Sequence, residues 1–216
     1  MDIDYTLYLV ADAEFAAGRD LAGLVAAAVA GGATAVQLRG KGLAGGELLA
    51  LGLELQGRLA AAGVPLIVND RLDVALACGA AGVHLGQGDV PVALARKLLG
   101  PGRVIGVSVN TPGEARRASE EGADYVGAGP AYATATKETA LPVLGPEGVR
   151  LVRRAVSVPV VAIGGIDAGN AAALAAAGAD GIAVISAILG APDARLAAEE
   201  LKKAFKPRAR RERRPQ

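Results

Sequence analysis

The stretch Glu121-Gly122-Ala123-Asp124-Tyr125-Val126-Gly127-Ala128-Gly129-Pro130 carries the architecture of the chain in miniature. A helical end runs into glycine, a short apolar run follows, and the run stops at Gly-Pro. Glycine just past a helix takes the left-handed backbone that closes it, and a β-type run bounded by glycine and proline reads as a strand. The phrase recurs at Ala30-Gly31-Gly32-Ala33, Cys78-Gly79-Ala80-Ala81 and Ala177-Gly178-Ala179-Asp180, each ahead of another apolar run. Each is expected to supply a helix C-cap glycine. Strands are predicted near Thr6–Asp12, Ala35–Gly40, Leu66–Asp70, Gly82–Gln87, Val104–Val109, Tyr125–Pro130, Val160–Gly165 and Gly181–Ser186. Alanine-rich helical patterns lie between them, so the repeating unit is βα. Eight such units in 216 residues predict a single-domain α/β fold, a closed (β/α)8 TIM barrel over residues 1–205. An open doubly wound sheet would carry GxGxxG after its first strand, and this chain does not.

Composition agrees. The chain is 52% apolar but 3% aromatic, with 30 glycines and no tryptophan, which predicts a core of Ala, Val, Leu and Ile. The one cysteine, Cys78, lies in Val74-Ala75-Leu76-Ala77-Cys78. It can form no internal disulfide and is expected to be a small buried hydrophobe. The start Met1-Asp2-Ile3-Asp4 lacks the basic, then apolar, pattern of a secretory signal, so a cytoplasmic protein is expected. The most membrane-like stretch, Leu21 to Leu38, is broken by Gly31-Gly32 and runs into Arg39 and Lys41. Helix, turn and strand account for it, and no membrane partner is expected. Net charge is +1, yet six of 23 basic residues and one of 22 acidic ones fall in Lys206–Gln216, leaving the body at −4. A specific nucleic-acid partner is therefore not expected, and residues 206–216 read as a basic, solvated tail.

In such barrels the chemistry sits where strands end at the C-terminal mouth. The sixth strand runs into Ala131-Tyr132-Ala133-Thr134-Ala135-Thr136-Lys137, where Thr134, Thr136 and Lys137 offer short donors and a mobile cation suited to phosphate. On the second strand Gln37, Arg39 and Lys41 alternate, and a period of two points them to one side. They read as anion ligands or as a solvated strand end; Gln37 inside an apolar segment favours the first, since buried polar groups need partners. The third strand ends at Asp70 and the segment after the fourth holds Asp89. Neighbouring strands lie about 4.8 Å apart, so the two carboxylates could share a hard cation, for which magnesium fits best. Each is alternatively a helix N-cap. Ser108 on the fifth strand is a phosphate donor or a cap. Gly164-Gly165 and Ser186, after the last two strands, read as a phosphate cradle or as tight turns. His84, the only histidine, reads as a satisfied core residue, and no triad or zinc set accompanies it.

Val36-Gln37-Leu38-Arg39-Gly40-Lys41, Val68-Asn69-Asp70-Arg71, His84-Leu85-Gly86-Gln87-Gly88-Asp89, Thr134-Ala135-Thr136-Lys137 and Ala162-Ile163-Gly164-Gly165-Ile166 together resemble the thiamine-phosphate synthase family, in order and spacing, from Leu7 to about Leu189. The resemblance implies an enzyme that joins an aminopyrimidine methyl diphosphate to a thiazole phosphate and releases pyrophosphate. It implies that Gln37, Arg39, Lys41, Asn69, Ser108 and Lys137 bind the pyrimidine diphosphate, and that Asp70 and Asp89 hold magnesium. It further implies that Thr134, Thr136, Gly165, Ile185 and Ser186 bind the thiazole phosphate. The loop departs mildly in having Ala131 and Ala133 where the family often has bulkier residues or proline.

That reaction suits these residues, because a departing diphosphate needs neutralising charge more than it needs a nucleophile. Magnesium with Arg39, Lys41, Lys137 and Ser108 would supply it, and catalysis would be positioning and electrostatics. A thiazole tautomerase of the same superfamily would keep the thiazole-phosphate pocket but would need neither Asp89 nor the Thr-Ala-Thr-Lys segment. A barrel acting on sugar phosphates gives no reason for paired Asp70 and Asp89. A noncatalytic regulator would use the basic tail.

Overall fold

The structure is a computed structural model that describes residues 2–134 and 141–207. Eight parallel strands pair in chain order: β1 (Leu7–Asp12), β2 (Ala35–Arg39), β3 (Leu66–Asn69), β4 (Gly82–Leu85), β5 (Val104–Val109), β6 (Tyr125–Ala128), β7 (Val160–Ile163) and β8 (Gly181–Val184). β8 returns to pair with β1, so the barrel is closed. Around it run α1 (Leu21–Ala30), α2 (Gly45–Ala62), α3 (Leu72–Ala77), α4 (Val92–Leu99) and α5 (Pro112–Glu120). α6 (Gly145–Ala155), α7 (Ala171–Ala176), a short α8 (Ser186–Leu189) and α9 (Ala194–Ala204) complete the ring. Every predicted strand is present. Several end a residue or two early, at Gly40, Asp70, Gly86, Gly129, Gly164 and Ile185, where the chain leaves the ladder to form the mouth.

The repeated junction phrase works as expected, with one shift of position. Gly79, Gly122 and Gly178 follow α3, α5 and α7 at φ of 71°, 98° and 94°, a conformation that costs glycine little. After α1 the left-handed residue is Gly32, at φ 105°, while Gly31 caps the helix with right-handed geometry. Gly31 has a packing role instead: a Cβ there would lie 2.2 Å from the Arg195 carbonyl oxygen of α9. The stretch Leu21–Leu38 divides into α1 and β2, as its glycines predict. Among the described residues no helix is long and apolar enough to cross a membrane.

Alternation along each strand separates two apolar layers. Leu7, Leu9, Val36, Leu38, Val68, Val83, Ile105, Val126 and Ile182 face outward into the helices and join the larger core. That layer is the predicted Ala/Val/Leu/Ile packing, and Cys78 lies buried within it. Burial pushes the Cys78 thiol above its ordinary range, which keeps it protonated and inert. The barrel interior departs from the composition-based expectation: Tyr5, Tyr8 and Tyr125 fill its lower half, with Val10, Ile67 and Val161 around them. Tyr5 and Tyr125 have ring centroids 4.5 Å apart. Glycines make the room, since a Cβ on Gly106 would sit 2.0 Å from Tyr125 Cζ. Few aromatics suffice because three of them occupy one place.

Candidate active site

The inward-facing residues at the C-terminal strand ends form a mouth with two unlike halves. Under β4 to β8 lies a cavity of about 420 Å³ lined by Ser108, Gly127, Gly129, Thr134, Gly164, Gly165, Ile185 and Ser186. Glycines in its wall let a ligand approach main-chain N–H groups closely, while Ile163, Ile166, Ile185 and Leu141 give it an apolar side. Gly164 and Gly165 sit at φ 101° and 63°. A Cβ on Gly165 would lie 2.4 Å from the Ala133 carbonyl oxygen, so the loop after β6 rests directly on the loop after β7. Ala131 N donates to Ile163 O at 2.8 Å, and Tyr132 N to Gly164 O at 3.0 Å. Asn110 ties both ends of the β6 loop, its amide nitrogen donating to Gly129 O at 2.9 Å and Pro142 O at 3.0 Å. Thr136 and Lys137, both expected ligands, lie outside the described residues.

The β1 to β4 half is charged. Gln37 is buried inside the barrel, where its amide nitrogen donates to the Tyr8 hydroxyl at 3.0 Å. Arg39 hydrogen-bonds the buried carboxylate of Asp12 and lies 3.5 Å from Glu14. Lys41 stands beyond the end of β2, exposed, with its ammonium 3.5 Å from Asp70. The three residues share one side, but Arg39 and Lys41 each already face a carboxylate. Gln37, Arg39, Asn69, His84 and Ser108 line a small recess of about 50 Å³ below the mouth. Ser108 borders both spaces.

The carboxylates at the rim are not helix caps. The residues capping α3 and α4 are Arg71 and Pro91, with no side-chain cap bond at either. Asp70 has φ 60°, the one positive value among described non-glycine residues. Its amide donates to the His84 carbonyl at 2.9 Å. Asp tolerates this conformation better than most non-glycine residues, and such positions cluster at functional sites. Burial pushes the Asp70 carboxyl above its ordinary range, the neighbouring Asp89 carboxylate adds to this, and Lys41 opposes it. Asp89 is exposed and accepts from the Gly86 amide at 2.6 Å. A half-buried carboxyl whose ionisation a neighbouring carboxylate hinders suits a shared hard cation. Among the described residues no cluster of three or more such acidic, histidine or cysteine ligands forms, so a cation there would complete its shell with water and substrate oxygens. Ser108 does not cap α5 either; Thr111 does, accepting from Glu114 N at 3.1 Å.

His84 is satisfied and interior, as expected: one ring nitrogen is 2.9 Å from the Tyr125 hydroxyl and the other 2.9 Å from Ser108 Oγ. Sequence reading passed over several contributors. Asp12 ends β1 as a lone acid after five apolar residues, the same signal that singled out Gln37. Tyr8 and Tyr125 alternate correctly to face inward, but nothing local says that their hydroxyls meet across the barrel at 3.0 Å. Gln87, whose amide nitrogen donates to the Ser108 carbonyl at 2.7 Å, and Asn110 are bridging residues visible only once strands are paired.

Residues 7–188 match the family model for thiamine monophosphate synthase. A thiamine-phosphate synthase of Albidiferax ferrireducens is 55% identical over 196 residues, 91% of this chain and 90% of that protein. One from Chloroflexus aurantiacus is 50% identical over 200 residues, 93% of this chain and 92% of its own length. Among solved structures, a thiamine phosphate pyrophosphorylase from Pyrococcus furiosus superposes with a TM-score of 0.86 at 40% identity, covering 93% of this chain and 95% of that one. Identity at this level extends over nearly the whole barrel, from β1 through the loops of the mouth, and the chain belongs to the thiamine monophosphate synthase family.

Proposed function

We propose that this chain forms thiamine phosphate at the two-part mouth, joining an aminopyrimidine methyl diphosphate held over β2 to β5 to a thiazole phosphate held over β6 to β8. The observation that carries this reading is the division itself, a charged rim with paired carboxylates beside a glycine-walled cavity. In the cavity, Thr134, Gly165, Ile185 and Ser186 surround the thiazole phosphate, and Thr136 joins them. On the other side Gln37 and Asn69 orient the pyrimidine, while Arg39, Lys41, Ser108 and Lys137 meet the diphosphate. Asp70 and Asp89 hold Mg²⁺, which when bound supplies positive charge to the departing diphosphate.

Arg39 and Lys41 exchange their carboxylate partners for substrate oxygens, so Asp12 and Glu14 keep Arg39 aimed until substrate arrives. The C–O bond to diphosphate breaks, the electron-rich aminopyrimidine carries the methylene cation, and the thiazole nitrogen forms the new C–N bond. No side chain acts as nucleophile. The substrates' relative placement supplies much of the rate. Small phosphorylated substrates and a single reduced, buried thiol suit a cytoplasmic enzyme.

Calorimetry with each precursor separately tests this division. Thiazole phosphate is expected to bind equally with and without Mg²⁺. The pyrimidine diphosphate is expected to lose at least tenfold in affinity when Mg²⁺ is removed or when Asp89 is replaced in Asp89→Asn. Mg²⁺-independent binding of the diphosphate would remove the metal assignment, and failure of both precursors to bind would remove the functional reading.

A further inference from the structure

Five side chains from five strands, β1, β2, β4, β5 and β6, form one unbroken hydrogen-bonded chain through the barrel interior. Gln37 Nε2 donates to Tyr8 Oη at 3.0 Å, Tyr8 Oη lies 3.0 Å from Tyr125 Oη, Tyr125 Oη lies 2.9 Å from His84 Nδ1, and His84 Nε2 lies 2.9 Å from Ser108 Oγ. An amide nitrogen can only donate, so the first bond orders the rest. Tyr8 accepts from Gln37 and passes its own proton to Tyr125, which passes its proton to His84 Nδ1. Burial pushes both phenols up, so they keep these protons. His84 Nδ1 is then an acceptor, and the neutral ring carries its proton on Nε2, donated to Ser108. Ser108 has its lone pair engaged and its hydroxyl proton uncommitted within the chain, at the boundary of recess and cavity.

We propose that this chain is a directional relay that fixes His84 as the Nε2–H tautomer and so makes Ser108 a hydrogen-bond donor toward the aminopyrimidine diphosphate. His84, Tyr125 and Tyr8 are positioning residues, and Ser108 is the group that touches substrate. The relay links the two walls of the pyrimidine subsite, because Gln37 sits at one end on β2 and Ser108 at the other on β5. Gly127 makes room for it; a Cβ there would lie 3.0 Å from His84 Cε1. Turning the Gln37 amide over would reverse every bond and leave Ser108 an acceptor, which an anionic leaving group would repel. The role of Ser108 rests on the proposed function, whereas the tautomer rests on the interior geometry alone.

His84 is the only histidine, so a long-range ¹H–¹⁵N correlation spectrum of the uniformly labelled, ligand-free chain at pH 7 reads its tautomer without ambiguity. The relay predicts a proton on Nε2 and none on Nδ1; a proton on Nδ1, alone or with Nε2, overturns it. This result is independent of turnover, so a failure of the synthase reading would be seen separately. With both substrates, Tyr125→Phe and Ser108→Ala are each expected to lower kcat/KM for the pyrimidine diphosphate about tenfold, the scale of one hydrogen bond to a charged group. KM for thiazole phosphate should not change in Tyr125→Phe, whose side chain does not line the larger cavity. The double variant should be no worse than Ser108→Ala; multiplying effects would show that Tyr125 does not act through Ser108 and would overturn the relay.

Discussion

Asp70 is the residue at which backbone, burial and charge converge. Its left-handed conformation turns it out of β3, partial burial and Asp89 raise its carboxyl above the ordinary range, and only an exposed lysine opposes them. A folded-state value above the unfolded one means that ionising Asp70 opposes folding. This penalty is absent below the unfolded value and fully present above the folded one. Asn tolerates left-handed backbone as Asp does, and the exposed Lys41 pair contributes little. Asp70→Asn is therefore expected to melt no lower than wild type at pH 7 in chelator, and the wild type to fall behind it as pH rises out of the acid range. Mg²⁺ should raise the wild-type melting temperature more at pH 7 than at pH 5 and leave the variant unmoved. A variant that melts several degrees lower in chelator, or that still gains from Mg²⁺, would contradict this. The sequence marked Asp70 and Asp89 by position but left metal ligand and helix cap open; the cap residues Arg71 and Pro91 close the second possibility.

At the scale of elements, the strands and the glycine junctions were legible because each is a local pattern: an apolar run of fixed length and a residue that must tolerate positive φ. The loop after β7 was legible only as glycine-rich. Pairing adds the reason, for Gly165 has both a left-handed backbone and the Ala133 carbonyl 2.4 Å from where a Cβ would be. Gly165→Ala is expected to cost about 1–3 kcal/mol of stability and to weaken thiazole-phosphate binding at least tenfold by lifting the β6 loop. Gly57→Ala, in α2 with open space around it, should instead gain about 0.5–1 kcal/mol and bind normally. Equal behaviour of the two variants, by thermal melting and calorimetry, would show that the contact between the two loops does not shape the site. The tyrosine-lined interior was not legible, since residues 8, 37, 84, 108 and 125 become neighbours only when β1 to β6 curve into one wall.

Over the whole molecule, closure of β8 onto β1 places two different surfaces around one mouth. The early strands bring Gln37, Arg39, Asn69 and Asp70, and the later ones bring glycines and hydroxyls around the 420 Å³ cavity. Ser108 lies on the boundary, where the proposed reaction would bring the two anions together. The most direct test is a single-vessel assay in which both phosphorylated precursors are incubated with the chain and Mg²⁺, and thiamine phosphate and pyrophosphate are quantified together. They are expected to appear in equal amounts, to require both precursors, and to stop when Mg²⁺ is chelated. Absence of thiamine phosphate with all components present, or pyrophosphate release that never requires the thiazole phosphate and yields no coupled product, would contradict the account.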